Sequence, residues 1–207
     1  MSFRNLLTAN DRIGTHLLTE PNALPLGATY IPDFVSSAVE VSLVRQIDAV
    51  PWITELKRRV QHYGYGYDYR ARTVTDDAYL GPLPDWLMGL GARLKDLGWF
   101  KRIPDQVIVN EYEPGQGIAA HIDCVPCFAG TIASLSLLSA CTMRFEEQSS
   151  GEQLTHILEP RSLLLLQGPA RFDWNHAIPA RKSDVIEGQR VPRGRRLSLT
   201  FRNVVMA

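Results

Sequence analysis

Residues 105–115, DQVIVNEYEPG, begin a series of short segments that decides the fold. Each segment is rich in β-branched or apolar residues and is bounded by Gly, Pro, Ser or Asn, a pattern typical of strands separated by turns. The series continues through TIASLSLLS (131–139), CTMRFEE (141–147), QLTHILEP (153–160), RSLLLLQG (161–168), RFDWNHAI (171–178) and RRLSLTFRNV (195–204). The series predicts an antiparallel sandwich or barrel, for which a jelly roll is suitable.

The first half of the chain predicts helices that pack outside this β-core. Residues 36–50, SSAVEVSLVRQIDAV, start with serines that can cap a helix and carry apolar residues at helical spacing. A second helix is expected over residues 85–97. We therefore expect an α+β fold, mainly β, with residues 1–25 as a lead-in and 26–207 as a single domain whose core covers roughly 104–204.

Composition excludes several classes of protein. The chain has 22 basic and 22 acidic residues, so no overall field steers it to nucleic acid or membrane. Its three cysteines do not form a secreted disulfide framework, and its N-terminus does not resemble a signal peptide. No apolar run is long enough to span a bilayer. We expect a cytoplasmic monomer without membrane contact.

A candidate metal site begins with the sequence HID at residues 121–123. Residues two apart on an extended segment project to the same side, so His121 and Asp123 can share one ion. His176, in a later predicted strand, would complete two histidines and one carboxylate, a set that suits non-haem iron(II). The alternatives are a chance His-x-Asp pair and a histidine that only fills the core.

The C-terminal segment predicts a site for an organic anion. Alternate residues share one polar face, namely Arg196, Ser198, Thr200 and Arg202. Two inward arginines opposite an apolar face are costly without an anionic partner, and a dicarboxylic acid would satisfy both. Asn110 and Tyr112, two apart on an earlier strand, would add an amide and a phenol. The alternative is a solvated strand face.

The segment HYGYGYDYRAR, residues 62–72, is the candidate for substrate binding. It offers aromatic and basic side chains at strand alternation, namely Tyr63, Tyr65, Tyr67, Tyr69, Arg70 and Arg72. Aromatic residues can stack on a base and cations can hold phosphate, which favours nucleic acid. The alternative is an aromatic hairpin packed on the core. Trp174 could line the substrate opening or fill the core.

Four motifs in this order resemble the AlkB family of iron(II)/2-oxoglutarate dioxygenases. They are N-x-Y at 110–112, H-x-D at 121–123, the distant His176 and R-x-S-x-T-x-R at 196–202. The resemblance extends from about Tyr30 to Val204. Residues 58–69, 104–123 and 161–178 look especially like the oxygenase domain of the member that hydroxylates modified wobble uridine in tRNA.

The resemblance implies a double-stranded β-helix core with an N-terminal nucleotide-recognition lid, roughly residues 56–82. It assigns iron(II) to His121, Asp123 and His176. It assigns 2-oxoglutarate to a second set of residues, namely Asn110, Tyr112, Arg196, Arg202, Ser198 and Thr200. In this set, Asn110, Tyr112 and Arg196 bind the distal carboxylate of 2-oxoglutarate, and Arg202 lies near its other end. Other members often have Asn at the position of Ser198.

The implied reaction consumes oxygen and 2-oxoglutarate and yields succinate and carbon dioxide. The implied substrate is a base in tRNA or in alkylated DNA or RNA, which is demethylated or hydroxylated. Two alternatives remain: an oxygenase of the same fold acting on a protein side chain or small molecule, and a non-catalytic cupin-like module that retains metal.

Cys124 and Cys127 form a C-x-x-C directly after Asp123. Zinc bound with His121 is one interpretation, but a second cysteine pair at zinc spacing is missing. A redox pair is another, but no strand–loop–helix context supports it. We expect two small apolar side chains beside the metal, prone to oxidation during turnover without substrate.

Overall fold

Two antiparallel sheets form the centre of the protein, whose computed structural model describes residues 23–205. Six strands form the larger sheet, in the order β1 (Ala28–Ile31), β8 (Leu163–Gln167), β5 (Thr131–Leu137), β12 (Arg196–Arg202), β3 (Gln106–Tyr112) and β2 (Val60–Tyr63). Four strands form the smaller sheet, in the order β4 (Ile118–His121), β9 (Trp174–Ile178), β6 (Cys141–Glu147) and β7 (Gln153–Leu158). β10 (Ser183–Ile186) and β11 (Gln189–Pro192) form a separate hairpin.

Two helices pack on the outer face of the larger sheet. α1 (Ser37–Asp48) begins where the side chain of Ser36 accepts a hydrogen bond from the backbone N–H of Val39. α2 (Asp85–Asp96) follows Pro84, and a third, short helix, α3 (Gly168–Phe172), precedes β9. The prediction of a mainly β fold with a jelly-roll core and flanking helices is confirmed. No helix of residues 23–205 has the length and apolar character to cross a membrane.

β12 divides two hydrophobic cores. Leu197, Leu199 and Phe201 pack with the buried faces of α1 and α2. The intervening residues of β12 are also buried, but they face the space between the two sheets. A second core lies there and includes Tyr112, Phe128 and Phe145. The predicted alternation of this strand is therefore confirmed, and its polar face is turned into the barrel.

The structure corrects the prediction for residues 62–72. β2 ends at Tyr63, because Gly64 has φ +77° and a Cβ there would lie 1.8 Å from the carbonyl oxygen of Asp105. A turn follows, in which the carboxylate of Asp68 accepts hydrogen bonds from the backbone N–H groups of Arg70 and Ala71. The tyrosines of this segment therefore do not share one strand face. β1, α3 and the β10–β11 hairpin were not predicted either.

Candidate metal centre and adjoining pocket

His121, Asp123 and His176 converge on one point between the strands β4 and β9. Their possible ligand atoms all lie within 4.8 Å of one another. His121 and His176 are direct cross-strand partners, with ring centroids 4.4 Å apart. Nε2 of His121 is 4.0 Å from Oδ1 of Asp123. Two imidazoles and one carboxylate at this spacing can bind one divalent ion and leave coordination positions open.

Neighbouring groups hold the three side chains in the form that binds metal. Nδ1 of His121 lies 2.8 Å from the carbonyl oxygen of Ala119, which can only accept. Nδ1 therefore carries the proton, and Nε2 presents its lone pair to the centre. Burial, together with the neighbouring His121, lowers the pKa of His176 to about 3. His176 is thus a neutral imidazole at neutral pH, the form that binds metal.

Arg202 controls the charge of Asp123. Burial opposes ionisation of this carboxyl, but the charge of Arg202 and the neighbouring histidines lowers its pKa below the usual range. Nη2 of Arg202 donates a hydrogen bond of 2.9 Å to Oδ1 of Asp123, and Nη1 donates to Oε1 of Gln106 at 3.2 Å. Asp123 is therefore an anion fixed in place before any ion arrives.

Arg171 fixes the backbone of the loop that follows Asp123. It is only 2% exposed. Its guanidinium donates to the carbonyl oxygen of Asp123 at 2.9 Å and to those of three further residues, namely Cys124, Phe128 and Ala129. A buried cation bound this way holds residues 123–129 in one conformation. The sequence contained no signal for this residue beyond its charge within an otherwise apolar segment.

Arg171→Met is expected to weaken divalent metal binding about 10- to 100-fold, the usual effect of losing a group that orients a ligand. Methionine keeps the apolar volume but leaves the carbonyl groups without their donor. Manganese(II) affinity, measured by competition with a fluorescent chelator, checks this. The exposed Arg45→Met on α1 is the control and should bind metal as the unaltered protein does. Equal affinities of the two variants would contradict the expected result.

The three residues form one wall of a cavity of about 580 Å³. All six residues expected to bind 2-oxoglutarate line it, namely Asn110, Tyr112, Arg196, Ser198, Thr200 and Arg202. Burial raises the pKa of Tyr112, so its phenol remains a hydrogen-bond donor. Apolar side chains, including Ile108, Ile132 and Leu164, complete the lining. The cavity thus combines an apolar wall with a few fixed polar groups, as small-molecule sites do.

Arg196 is a buried cation with unused donors. It is 3% exposed, and Nη2 donates to Oγ of Ser136 at 2.7 Å. Its Nε and Nη1 are buried without a hydrogen-bond partner among the described residues. The ring of Tyr112 lies 5.3 Å from the guanidinium carbon. Unused donors on a buried charge are costly, so the cavity is suited to an anion at this end.

The segment 56–82 contributes four residues to the cavity, and one of them was not among the candidates. Tyr67, Tyr69 and Arg72 line it as expected, and Arg58 lines it as well. Nε of Arg58 donates to Oδ1 of Asn110 at 2.9 Å, and its guanidinium lies 5.8 Å from the Tyr69 ring. The pairing of β2 with β3, which brings residue 58 to Asn110, could not be read from the local sequence.

Four other candidates for substrate contact lie elsewhere. Tyr63 packs against the ring of Trp86 at the outer core, with a centroid distance of 5.6 Å. Tyr65 packs against Tyr79. Arg70 is exposed in the turn after Asp68, and Trp174 is buried in the inner core. Of the candidates for substrate contact, Tyr67, Tyr69 and Arg72 therefore line the cavity, whereas these four residues do not.

Cys124 and Cys127 are joined by a disulfide, so the expectation of two free apolar side chains is wrong. The backbone turns between them, with the N–H of Phe128 donating to the carbonyl oxygen of Cys124. This turn brings the two Cα atoms to 5.3 Å, within disulfide reach. The disulfide thus forms without a strand–loop–helix context. It also removes the thiolates that a zinc ion would need as ligands.

Comparison with known proteins gives three findings on sequence. Residues 27–202 match the family described as the 2OG-Fe(II) oxygenase superfamily. The chain is 38% identical over 218 residues to the "Alkylated DNA repair protein ALKBH8 homolog" of Arabidopsis thaliana, covering 94% of this chain and 63% of that protein. It is 37% identical over 206 residues to the Xenopus tropicalis "tRNA (carboxymethyluridine(34)-5-O)-methyltransferase alkbh8", covering 88% of this chain and 32% of that protein.

One solved structure shows the same fold. The structure of OsALKBH1 superposes with a TM-score of 0.65 at 18% identity, covering 88% of this chain and 99% of that one. The two sequence relatives are longer than the region they share with this chain, which spans 63% of one and 32% of the other.

Proposed function

The chain belongs to the AlkB family within the 2OG-Fe(II) oxygenase superfamily, and we propose that it oxidises a base in nucleic acid, with tRNA the first candidate. As a member it is a dioxygenase that uses iron(II), 2-oxoglutarate and oxygen. The nucleic-acid substrate is supported by one observation: aromatic and basic side chains of segment 56–82 line the cavity of the candidate metal centre.

The residues present fit iron and 2-oxoglutarate. Two histidines and one carboxylate offer ligand atoms within 4.8 Å of one another, and Arg196 has two buried donors without a partner among the described residues. In the proposed arrangement His121, Asp123 and His176 hold the iron, and Arg196, with Asn110 and Tyr112, holds the far carboxylate of 2-oxoglutarate. Ser198 and Thr200 line the same region, and Arg202 lies at the other end beside Asp123.

The protein contributes orientation and exclusion of water. Iron bound at this centre supplies the activation of oxygen, which oxidises 2-oxoglutarate to succinate and carbon dioxide and a C–H group of the substrate to C–OH. Arg202 keeps Asp123 ionised, and Ala119 fixes the tautomer of His121. The apolar wall lowers the local dielectric constant, which strengthens the electrostatic attraction between Arg196 and a carboxylate.

Segment 56–82 is proposed to recognise the base. The rings of Tyr67 and Tyr69 are 5.1 Å apart and nearly perpendicular, so one can stack on a base while the other supports it. Arg72 is exposed and also lines the cavity, a position suited to a phosphate at its mouth. The name of the Xenopus relative refers to uridine 34 of tRNA, which makes tRNA the first pool to test.

Nucleoside mass spectrometry tests the proposed substrate. Bulk tRNA and methylated DNA are incubated with protein, iron(II), ascorbate and 2-oxoglutarate, with His121→Ala as the inactive control. A modified uridine that gains one oxygen indicates hydroxylation, and loss of methyl groups with formaldehyde indicates demethylation. Succinate formation without change in either pool would refute the proposal and favour a protein side chain or small molecule.

Arg70→Ala combined with Arg72→Ala is expected to weaken tRNA binding and to reduce its salt dependence. Each lost phosphate contact should lower the slope of log affinity against log salt by about 0.7 to 0.9. Fluorescence anisotropy at several salt concentrations measures the slope. Arg45→Ala, on the exposed face of α1, is the matched control. An unchanged slope in the double variant would remove these arginines from the proposed interface.

A further inference from the structure

We propose that Cys124 and Cys127 form a reversible dithiol–disulfide pair whose oxidation state controls how firmly Arg72 is held at the cavity. The pair lies between two functional regions. Cys124 directly follows Asp123, and the two sulfur atoms lie 3.3 Å and 3.6 Å from the carbonyl oxygen of Arg72. Arg72 belongs to segment 56–82 and lines the cavity.

The chemistry of the sulfur atoms decides the strength of this contact. A thiol can donate a weak hydrogen bond to a carbonyl oxygen, whereas a disulfide sulfur carries no hydrogen to donate. In the disulfide form described here, the Arg72 carbonyl therefore only touches the sulfur atoms. Reduction would give each sulfur atom a hydrogen that it can donate to this carbonyl oxygen.

A small-molecule disulfide is the oxidant that forms the bond between Cys124 and Cys127. Its S–S bond breaks as the bond between Cys124 and Cys127 forms, the two cysteines lose two protons and two electrons, and the oxidant leaves as two thiols. Val125 and Pro126, between the cysteines, are exposed, and the cysteines themselves are 8% and 6% exposed. The turn therefore lies at the surface, where a small oxidant or reductant can reach it.

Arg72 is a residue whose position depends on such contacts. It has φ +55°, which is unfavourable for a side chain other than glycine. Its side chain interacts with the phenol of Tyr67, whose ring packs 5.8 Å from that of Phe128. Losing donors to its carbonyl group therefore weakens the attachment of the turn 68–73, and with it the position of Tyr67 and Arg72 in the cavity.

The metal loop itself is held independently of the cysteines. Arg171 donates to the backbone carbonyl groups of Asp123 and Cys124, and these hydrogen bonds do not involve sulfur. Oxidation is thus expected to act on Arg72 and its turn more strongly than on the backbone of residues 123–129. The effect should appear as mobility of residues 68–75, whichever substrate the protein takes.

Hydrogen–deuterium exchange on the full chain tests the inference. Protein is equilibrated in reduced or oxidised glutathione and exchanged in the same buffer with its thiols unmodified. A separate aliquot is alkylated, and peptide mapping of that aliquot separates the pair from the buried Cys141. We expect exchange in residues 68–75 to be about fivefold faster in the disulfide form, the size expected for two weak S–H···O bonds. Exchange in α2 should be the same in both forms.

Two double variants separate the hydrogen-bond donors from the covalent bond. Cys124→Ser with Cys127→Ser keeps two donors, so it should match the reduced protein in either buffer. Cys124→Ala with Cys127→Ala has none and should match the oxidised protein. Equal exchange in the reduced and oxidised forms of the unaltered protein would overturn the inference. So would a pair that stays fully labelled in oxidised glutathione, or identical exchange in the Ser and Ala variants.

Discussion

Asp123→Asn is expected to abolish succinate formation and to lower iron(II) affinity by roughly a hundredfold or more, since even groups one step removed from a metal contribute 10- to 100-fold. Asparagine keeps the shape of the side chain but lacks the negative charge that attracts the ion. It also leaves the guanidinium of Arg202, 2.9 Å from the carboxylate, without its anionic partner. An unpaired buried charge destabilises the fold by about 3 kcal/mol.

Comparison with two further variants separates metal loss from misfolding. His121→Ala removes a metal ligand but keeps the ion pair between Arg202 and Asp123, so it should lose iron while unfolding at nearly the normal temperature. Asp173→Asn changes an exposed carboxylate three residues before His176 and should bind iron normally. Anaerobic titration calorimetry gives the affinities. Iron binding by Asp123→Asn within threefold of the unaltered protein would exclude Asp123 as a ligand.

The local sequence predicted the part of the cavity that depends on strand alternation. In β12, side chains alternate between the two faces of the sheet, so the polar face of residues 196–202 follows from a period of two. Leu197 and Phe201 pack on the helices, while Arg196 and Arg202 face the cavity. His121 and His176 required more than local pattern, because their meeting depends on the register between β4 and β9. The resemblance to a family assigned the three residues to one iron, but it did not predict that register.

The conformation of segment 56–82 could not be predicted from the local sequence, because contacts with residues distant in sequence determine the path of its backbone. The strand stops at Gly64, where a Cβ would lie only 1.8 Å from the carbonyl oxygen of Asp105. Asp105 is distant in sequence, so the alternation of tyrosines could not predict this contact. Arg58 reaches Asn110 for a similar reason, through the pairing of two strands about 50 residues apart.

Arg196→Met is expected to raise the KM for 2-oxoglutarate by about 30-fold or more, because truncating one partner of a buried charge pair costs about 2–5 kcal/mol. Methionine has similar length but cannot bind a carboxylate. The ligand-free protein should behave differently. Arg196 is buried with Nε and Nη1 unpartnered among the described residues, so removing its charge should leave the free energy of unfolding unchanged or higher.

A raised KM together with an unchanged or higher free energy of unfolding identifies a residue whose buried charge is unfavourable until the ligand binds. A structural arginine would lower stability when replaced, whereas a ligand-binding one lowers affinity without lowering stability. Arg196→Lys keeps the charge but loses the bidentate geometry, so its KM should lie between those of the other two proteins. Succinate formation against 2-oxoglutarate concentration gives KM, and denaturant unfolding gives stability. A marked loss of stability in Arg196→Met with an unchanged KM would make Arg196 a structural residue and move the anion site elsewhere in the cavity.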